Sequence, residues 1–587
     1  MTTQTPFRIK SLTFNDGNNL PLANVTILVG PNNSGKSRAL KDTVALSTKA
    51  NTSGLVVTQA EVDGPNDWAG IVQSLPDPPE INDNSTGYVL PTLNHDLKGI
   101  AGGLGWGNPS KDIPAMVSDL LAGDTRQQGL RGFMPSAMAH LTTETRLTLL
   151  GNTKPAKDSK SPQNLVQYFY RCGSETEQSV SDLVKRYFKK EIRLDFSDLQ
   201  HMRMRYATDF ADVPVDPRDA LLPMGQRDLL SEQGDGVRSF AGLVAAIEAL
   251  SRPIYIIDEP EAFLHPPQAF HIGRLIGRRS SSQKQFIIAT HSSDILRGIL
   301  SATQDVSVVR VNRDGDTNSF CPIETATLQA VTTNPLLSSA RVLEGLFYSS
   351  AVVVESDSDA RFFASAFTQV NNELDTHFVA ADNKQTVAKI LALYCDMGVK
   401  HLGIVDFDML RVGAELNDAM GTLGTNADSI QSVNDSQGKI AAEASKVTAA
   451  ERIEHYKEVL GRINRKIDAY NTGDKSDSDD VLRFLQKRAN EAANVTKPWK
   501  ELKELGRAGL SDQVAPEFDN LYAKLMDDRL CIYPFGELES SLVEFGLKYT
   551  TNKKEWIVDA LRLVSSLTVD DTKQFWRVVK QLVATIM

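Results

Sequence analysis

The chain has 587 residues, room for about three or four domains with separate cores, and a formal net charge of −11 that leaves any affinity for nucleic acid to local basic patches. No run approaches the ~18 apolar residues of a membrane span, which argues against a transporter subunit other than a peripheral head, and no terminal targeting segment is read. Cys172, Cys321, Cys395 and Cys531 lack CxxC spacing, a pattern that suits a reducing cytosol and argues against structural zinc.

In chain order, an alternating strand is expected at Arg8–Phe14. The apolar run Val25–Val29 follows and ends in Gly30, Pro31, Asn32, Asn33, Ser34, Gly35, Lys36 and Ser37, with a helical stretch beginning at Arg38. That is a P-loop in its strand-loop-helix setting. Its glycines allow a tight turn whose N–H groups face phosphate oxygens, Lys36 reaches the β and γ phosphates, and Ser37 binds magnesium. A Gly-rich loop is expected at 99–107, and amphipathic helices at 163–170 and 177–190.

Ser231-Glu232-Gln233-Gly234-Asp235-Gly236 precedes an apolar helix, and its small residues give a second anion-binding helix start, a weak signal on its own. Next comes Ile256-Ile257-Asp258-Glu259-Pro260-Glu261, an apolar strand delivering adjacent carboxylates to its end. Asp258 is expected to hold magnesium through water and Glu259 to orient or deprotonate the attacking water. The strand of Phe286 to Ala289 then ends in Thr290-His291-Ser292, placing His291 where α/β sheets form their ligand crevice, in reach of a γ-phosphate. Alone, each acidic or histidine-bearing end would also suit a solvated sheet edge; the ordered set points to an ATP site.

A Thr/Ser/Asn/Pro-rich stretch at 332–339 reads as a hinge. Beyond it, the strand of Ala351 to Val354 ends in Glu355, with Asp359 one helical turn on, and the strand of His401 to Val405 ends in Asp406 and Asp408. Glu537 and Glu539 follow a third apolar run, and Lys553, Lys554 and Lys573 lie beyond them. These hard oxygen ligands suit Mg²⁺ or Mn²⁺, and two ions ~4 Å apart would serve phosphodiester cleavage with a lysine neutralising charge. Carboxylates capping strands at a solvated edge are the plain alternative.

Between Asp408 and the third run, 450–470 and 479–493 are charged and heptad-like around a Gly/Asp/Ser break at 472–480, which predicts a helical hairpin or small bundle that either clamps DNA, binds a partner, or is a tolerated insertion. Basic groups occur at Lys185, Arg186, Lys189 and Lys190, at Arg462, Arg465 and Lys466, and at Lys487, Arg488, Lys497 and Lys500 with Trp499 interleaved. Each reads as a solvated helix face unless it lines one groove.

The order of P-loop, Ser231–Gly236 signature, acidic strand and His291 resembles the ABC-type ATPase head of SMC and RecF proteins. The Glu355/Asp359 and Asp406/Asp408 motifs resemble those of a Toprim domain. Together they resemble the OLD (overcoming lysogenization defect) nuclease family. The resemblance implies an α/β chain made of an ABC-type P-loop ATPase head with a helical insertion, then a Rossmann-like Toprim domain with a large helical insertion.

The expected boundaries are 1–109 and 191–345 for the ATPase lobes around a dimerising insertion at 110–190, and 346–410 and 529–587 for Toprim around an insertion at 411–528. The resemblance further implies that Ser231, Gly234 and Gly236 act in trans on ATP held by another copy. It makes Glu355, Asp359, Asp406, Asp408 and Glu539 metal ligands, with Glu537 beside them, and Lys553 or Lys554 the catalytic lysine. Toprim domains usually place glycine after the glutamate, where this chain has Ser356.

The implied function is an ATP-regulated, Mg²⁺- or Mn²⁺-dependent DNA endonuclease or nickase. It would be a homodimer or larger in the bacterial cytoplasm, without membrane contact, and serve in anti-phage defence. A reverse transcriptase with retron DNA/RNA or a Gabija-like helicase is the implied partner. A competing reading is an SMC/RecF-like tethering ATPase whose Toprim fold binds without cutting. Topoisomerase and primase rank behind, the former because no nucleophilic-tyrosine domain is recognisable.

Overall fold

Predominantly apolar, almost wholly buried runs in Val25–Val29, Ile254–Asp258 and Gln285–Ala289 form the centre of a six-stranded sheet in the computed structural model. The structure describes residues 5–49, 52–75, 77, 79–81, 87–90, 93–97, 112–155, 162–334, 337, 339–444, 449–472, 478–493, 497–550 and 552–587. The loop expected at 99–107 lies outside the described residues, as do parts of the 332–339 hinge and of the 472–480 break. The chain divides into two units, Met1–Phe347 and Tyr348–Met587.

In the first unit the strand order is Thr317–Ile323, Val306–Asp314, Val25–Val29, Gln285–Ala289, Ile254–Asp258, Met138–Leu141. Neighbours are parallel except for the antiparallel edge pair Val306–Asp314 and Thr317–Ile323. A second, antiparallel sheet pairs Arg8–Phe14, the expected strand, with Asn19–Pro21 and Val57–Asp63. Buried Gln285 ties the sheets together: its Oε1 accepts from Ile9 N at 3.0 Å and its Nε2 donates to Ile9 O at 3.0 Å. A polar residue inside a central strand is tolerated because both ends of its amide are satisfied.

The stretch 110–190, where amphipathic helices were expected, also contains a strand. It holds the helices Arg126–Ala137, Leu165–Cys172 and Ser174–Phe188, but its middle, Met138–Leu141, is the edge strand of the central sheet, pairing parallel with Ile254 to Ile257. Four residues without β-branched side chains give no local strand signal, and the strand exists because Ile254–Asp258 offers it a partner.

The second unit is a four-stranded, all-parallel sheet in the order Thr376–Ala380, Ser350–Val354, Lys400–Val405, Leu530–Ile532. Helices Asp357–Val370, Lys553–Ser566 and Gln574–Ile586 bury Phe362, Phe363, Trp556, Phe575 and Trp576 in one core.

Between the third and fourth strands the described residues are helical, including the paired helices Ala449–Asn471 and Ser478–Ala493, in keeping with the hairpin expectation. The following helix, Lys497–Leu505, seats on the loop after the fourth strand. Glu537 N donates to Lys503 O at 2.7 Å, and Gly536 (φ +95°) has no room for a side chain, since a Cβ would stand 2.1 Å from Lys503 O. The insertion is thus tied by its backbone to the sheet it interrupts. Among the described residues no helix is long and apolar enough to cross a membrane.

Candidate functional site

Each unit gathers a cluster of titratable groups at the C-terminal ends of its parallel strands, where open α/β sheets form their ligand crevice. In the first unit, Gly30 leaves the strand Val25–Val29 at φ +139°, and a Cβ there would lie 2.2 Å from Val311 O. Only glycine fits so close to the neighbouring strand. The loop's Asn33 is left-handed at φ 61°, and Gly35 caps the helix Lys36–Thr48. Asn318, on the antiparallel edge strand, fixes the loop from the side by donating to Ser34 O at 2.6 Å.

Inside the loop, the buried Lys36 ammonium donates to Gly30 O at 2.9 Å, Pro31 O at 2.7 Å and Ser34 Oγ at 3.3 Å. Burial pulls its pKa down to about 8, against the opposing pull of Glu259, Glu261 and Asp258. Ser37 Oγ donates to Asp258 Oδ1 at 2.9 Å, joining the two groups expected at magnesium. Burial raises the Asp258 carboxyl above its ordinary range.

Glu259 follows in a left-handed conformation, φ 46°, with its N–H donating to Ala289 O at 2.8 Å. A non-glycine residue held there stores backbone strain, a feature that clusters at functional sites. Its carboxylate stands 3.9 Å from His291 Nε2. Burial first, and Lys36 second, push the His291 pKa down to about 4, so the ring is neutral at pH 7.

Two residues given no role from sequence fix this geometry. Half-buried Glu261 accepts from His291 N at 2.6 Å and from Thr290 Oγ1 at 2.8 Å, tying the acidic turn to the histidine strand. Buried Arg146 donates to Asp258 O at 2.6 Å and Glu259 O at 2.7 Å, and reaches Ser239 Oγ at 3.4 Å on the helix Asp235–Ala249. Glu261 was legible as part of the acidic turn. Arg146, more than a hundred residues upstream, had no signal.

Ser231, Gly234 and Gly236 sit at the start of that helix, where a Cβ on Gly236 would approach Phe263 O to 2.9 Å. Among the described residues no hydrogen bond joins them to the P-loop of the same chain.

In the second unit, Glu355 and Asp406 leave adjacent strands in register, Val354 opposite Ile404, and Asp406 N donates to Glu355 Oε1 at 2.9 Å. Burial raises the Asp406 pKa well above the ordinary Asp value, with Glu355 and Asp359 adding to it, and burial likewise raises Glu355. Ser356 needs no glycine's freedom. It is extended, φ −137°, and caps the helix Asp357–Val370 in a reciprocal box in which Asp359 Oδ2 accepts from Ser356 N at 2.9 Å.

Lys553 Nζ lies 2.9 Å from Asp359 Oδ1. Its partial burial opposes the charge, but Asp359, Asp406 and Glu539 outweigh that and raise its pKa. Lys554 is exposed and Lys573 stands over the Phe545 ring at 5.6 Å, so of the three lysines only Lys553 joins the acids. Glu539 is buried and raised by that burial.

Asp408 stands between two lysines absent from the sequence reading: Lys384 at 3.6 Å, itself 2.7 Å from Glu415, and Lys503 at 3.4 Å, itself 2.7 Å from Glu537. Tyr549 OH donates to Glu537 Oε2 at 2.8 Å. Among the described residues no three His, Cys, Asp or Glu side chains are already posed around one ion position. The donor set nonetheless fits a hard divalent cation: carboxylate oxygens crowded until they raise one another's pKa are relieved by bound positive charge.

Residues 218–297 match the family model described as "AAA domain, putative AbiEii toxin, Type IV TA system". Over 343 residues the chain is 25% identical to the Old nuclease of Escherichia phage P2, a match covering 56% of this chain and 48% of that protein. The match thus spans about half the length of that relative.

Among solved structures, the SMC head domain from Thermotoga maritima is similar at 16% identity and a TM-score of 0.27, over 54% of this chain and 99% of that one. The Smc head domain with an extended coiled coil from Pyrococcus furiosus, bound to the C-terminal domain of ScpA, is similar at 11% identity and 0.31, over 55% and 98%. The chain is therefore related in sequence to the Old nuclease over about half of that protein, and residues 218–297 of its first unit are similar to an AAA domain.

Proposed function

We propose that the chain is an ATP-regulated, divalent-metal-dependent DNA endonuclease or nickase of the OLD type, with an ATPase in the first unit and a Toprim-like nuclease in the second. The observation that carries it is the meeting of Glu355 and Asp406 at adjacent strand ends through a 2.9 Å hydrogen bond, with Asp408 and the Lys553–Asp359 pair in the same electrostatic cluster. The relationship to the Old nuclease supports the same reading.

In the first unit, Lys36 turns its ammonium from the loop carbonyls to the β and γ phosphates of ATP, and Ser37 and Asp258 are the groups that would hold magnesium. Glu259 orients or deprotonates the attacking water. His291, neutral at pH 7, donates to or accepts from the γ-phosphate shell without adding charge. Arg146 and Glu261 keep these groups in place, as preorganised electrostatic stabilisation requires. Ser231, Gly234 and Gly236 serve ATP on a second copy, which makes a homodimer or larger assembly the working form.

In the second unit, Glu355, Asp406, Asp408 and Glu539 would hold Mg²⁺ or Mn²⁺, with Asp359 and Glu537 as near neighbours. The bound ion would supply an activated water and charge neutralisation at the phosphodiester. Lys553, held by Asp359, places a cation beside the developing negative charge, while Lys384 and Lys503 orient Asp408. A role as an effector in anti-phage defence, with a reverse transcriptase and retron DNA or a helicase-like partner, rests on the OLD resemblance alone.

The test is incubation of plasmid DNA with Mg²⁺ or Mn²⁺. Nicking or linearisation by the wild type, lost in Asp406→Asn and Lys553→Ala and kept in Lys554→Ala, supports the reading. ATP-dependent DNA binding without cuts assigns the chain to the tethering class instead.

A further inference from the structure

Of the basic groups in the sequence, the cluster at Lys185, Arg186, Lys189 and Lys190 is resolved by the structure into two parts. Lys185 is neutralised by Glu191 at 2.5 Å, Lys190 faces Asp228 at 3.8 Å, and Lys189 donates to Arg186 O at 3.2 Å. Arg186 instead lines a cavity of about 460 Å³ between the helices Ser174–Phe188 and Pro266–Arg279, where it meets His271, Arg274 and Arg278. Residues 271, 274 and 278 recur at three and four positions, so one face of the second helix supplies them all.

The carboxylates of this cavity do not balance it. Glu248 is occupied by Arg279, at 2.6 and 3.0 Å, and Asp182 accepts from Gln178 Nε2 at 2.8 Å. Among the described residues no ion pair joins Arg186, Arg274 or Arg278 to an acid. His271 Nε2 is buried without a hydrogen-bond partner, and its ring packs on Tyr187 with centroids 4.8 Å apart. Burial first, then Arg186, Arg274 and Arg278, push the His271 pKa down to about 4.

Favourable interaction with the helix macrodipole accounts for basic residues in a last turn, such as Arg186 and Arg278, but not for Arg274 or for convergence from two helices. Converging unpaired guanidinium groups in a chain of net charge −11 call for a polyanion, and their forked donors match phosphate oxygens bidentately.

We propose that the groove formed by Arg186, Arg274 and Arg278, with His271 at its floor, grips the phosphodiester backbone of DNA, as a second contact separate from the acid cluster of the other unit. It takes only the identity of its ligand from the proposed function.

The experiment is fluorescence anisotropy of a labelled duplex with the full chain, in Ca²⁺ to prevent cutting, from 50 to 200 mM salt. Each phosphate contact contributes roughly 0.9 to the slope of log affinity against log salt, so Arg186→Gln/Arg274→Gln/Arg278→Gln is expected to flatten that slope by about 2 to 3 and weaken binding at least ~10-fold at the low-salt end. Lys185→Gln/Lys190→Gln is expected to bind as the wild type does. The triple Arg→Lys variant guards against misfolding: it keeps the slope while losing affinity through the lost bidentate contacts.

Wild-type binding with an unchanged slope in the Gln variant overturns the groove and leaves the nuclease reading intact. Absence of any DNA binding by the wild type overturns both. Competition by inorganic pyrophosphate is run alongside: a wild type that binds pyrophosphate and a Gln variant that loses it while keeping wild-type DNA binding assign the groove to a small phosphate ligand and equally overturn the proposal.

Discussion

Asp406 donates its backbone N–H to Glu355 Oε1 at 2.9 Å, so two carboxylates from neighbouring parallel strands are held side by side before any cation arrives. Burial, then Glu355 and Asp359, hold the Asp406 carboxyl well above its ordinary pKa. A carboxyl whose folded pKa is raised contributes stability that is fully present below the unfolded value, ~3.9, and lost as pH rises through the folded value. In metal-free protein, Asp406→Asn therefore melts close to wild type near pH 4 and higher than wild type at pH 8, by about 2–4 °C for each kcal/mol relieved. Mn²⁺ raises the melting temperature of the wild type and not of the variant. Equal melting at both pH values in calorimetry would show that the site carries no such strain.

Lys36 donates to two carbonyls and the Ser34 hydroxyl of its own loop, contacts that a triphosphate replaces with charge-assisted ones. Lys36→Ala is expected to lower ATP turnover at least ~100-fold, as loss of a preorganised charge contact does. Glu259→Gln keeps ATP binding and loses turnover. Titration of a fluorescent ATP analogue alongside phosphate release checks both; turnover retained in Glu259→Gln would remove it from the role of base.

Arg146 satisfies the two carbonyls at the end of the acidic strand, Asp258 O and Glu259 O. Replacing it with methionine leaves them buried without donors, at about 1–3 kcal/mol. The unfolding midpoint in urea is expected to fall, and ATP turnover with it. Arg146→Lys does not restore turnover, since one ammonium lacks the forked geometry. Turnover at wild-type level in either variant would show that the strand end holds its shape without Arg146.

Glu261 is predicted to matter through His291. Glu261→Ala frees His291 N and Thr290 Oγ1, and is expected to cost about 1–3 kcal/mol while lowering turnover, with Glu261→Gln retaining part of both. Denaturant unfolding and phosphate release measure the two effects.

Legibility in the sequence followed distance along the chain. The P-loop, Asp258–Glu259 and the strands ending in Glu355 and Asp406 were readable because each is a contiguous strand followed by its candidate site residue, and strand ends converge in a parallel sheet. Met138–Leu141 was not readable as a strand, because only its partner Ile254–Asp258 makes it one.

Arg146 and Lys503 act by reaching across the fold, and their neighbours in sequence carry no pattern that marks them. Lys503 comes from a stretch that read as an insertion in the second unit, and the backbone bond from Glu537 N to Lys503 O fixes it beside Asp408. The choice between Lys553 and Lys554 needed a helix start to be placed against Asp359.

The central claim is that acids from separate strands of the second unit share a divalent cation. Titration calorimetry of Mn²⁺ into nucleotide-free protein, repeated in two buffers of different ionisation enthalpy, tests it most directly. The account predicts binding accompanied by proton release, lost in Asp406→Asn and in Glu355→Gln and retained in Asp258→Asn. Mn²⁺ binding by Asp406→Asn with wild-type affinity and proton count would contradict it.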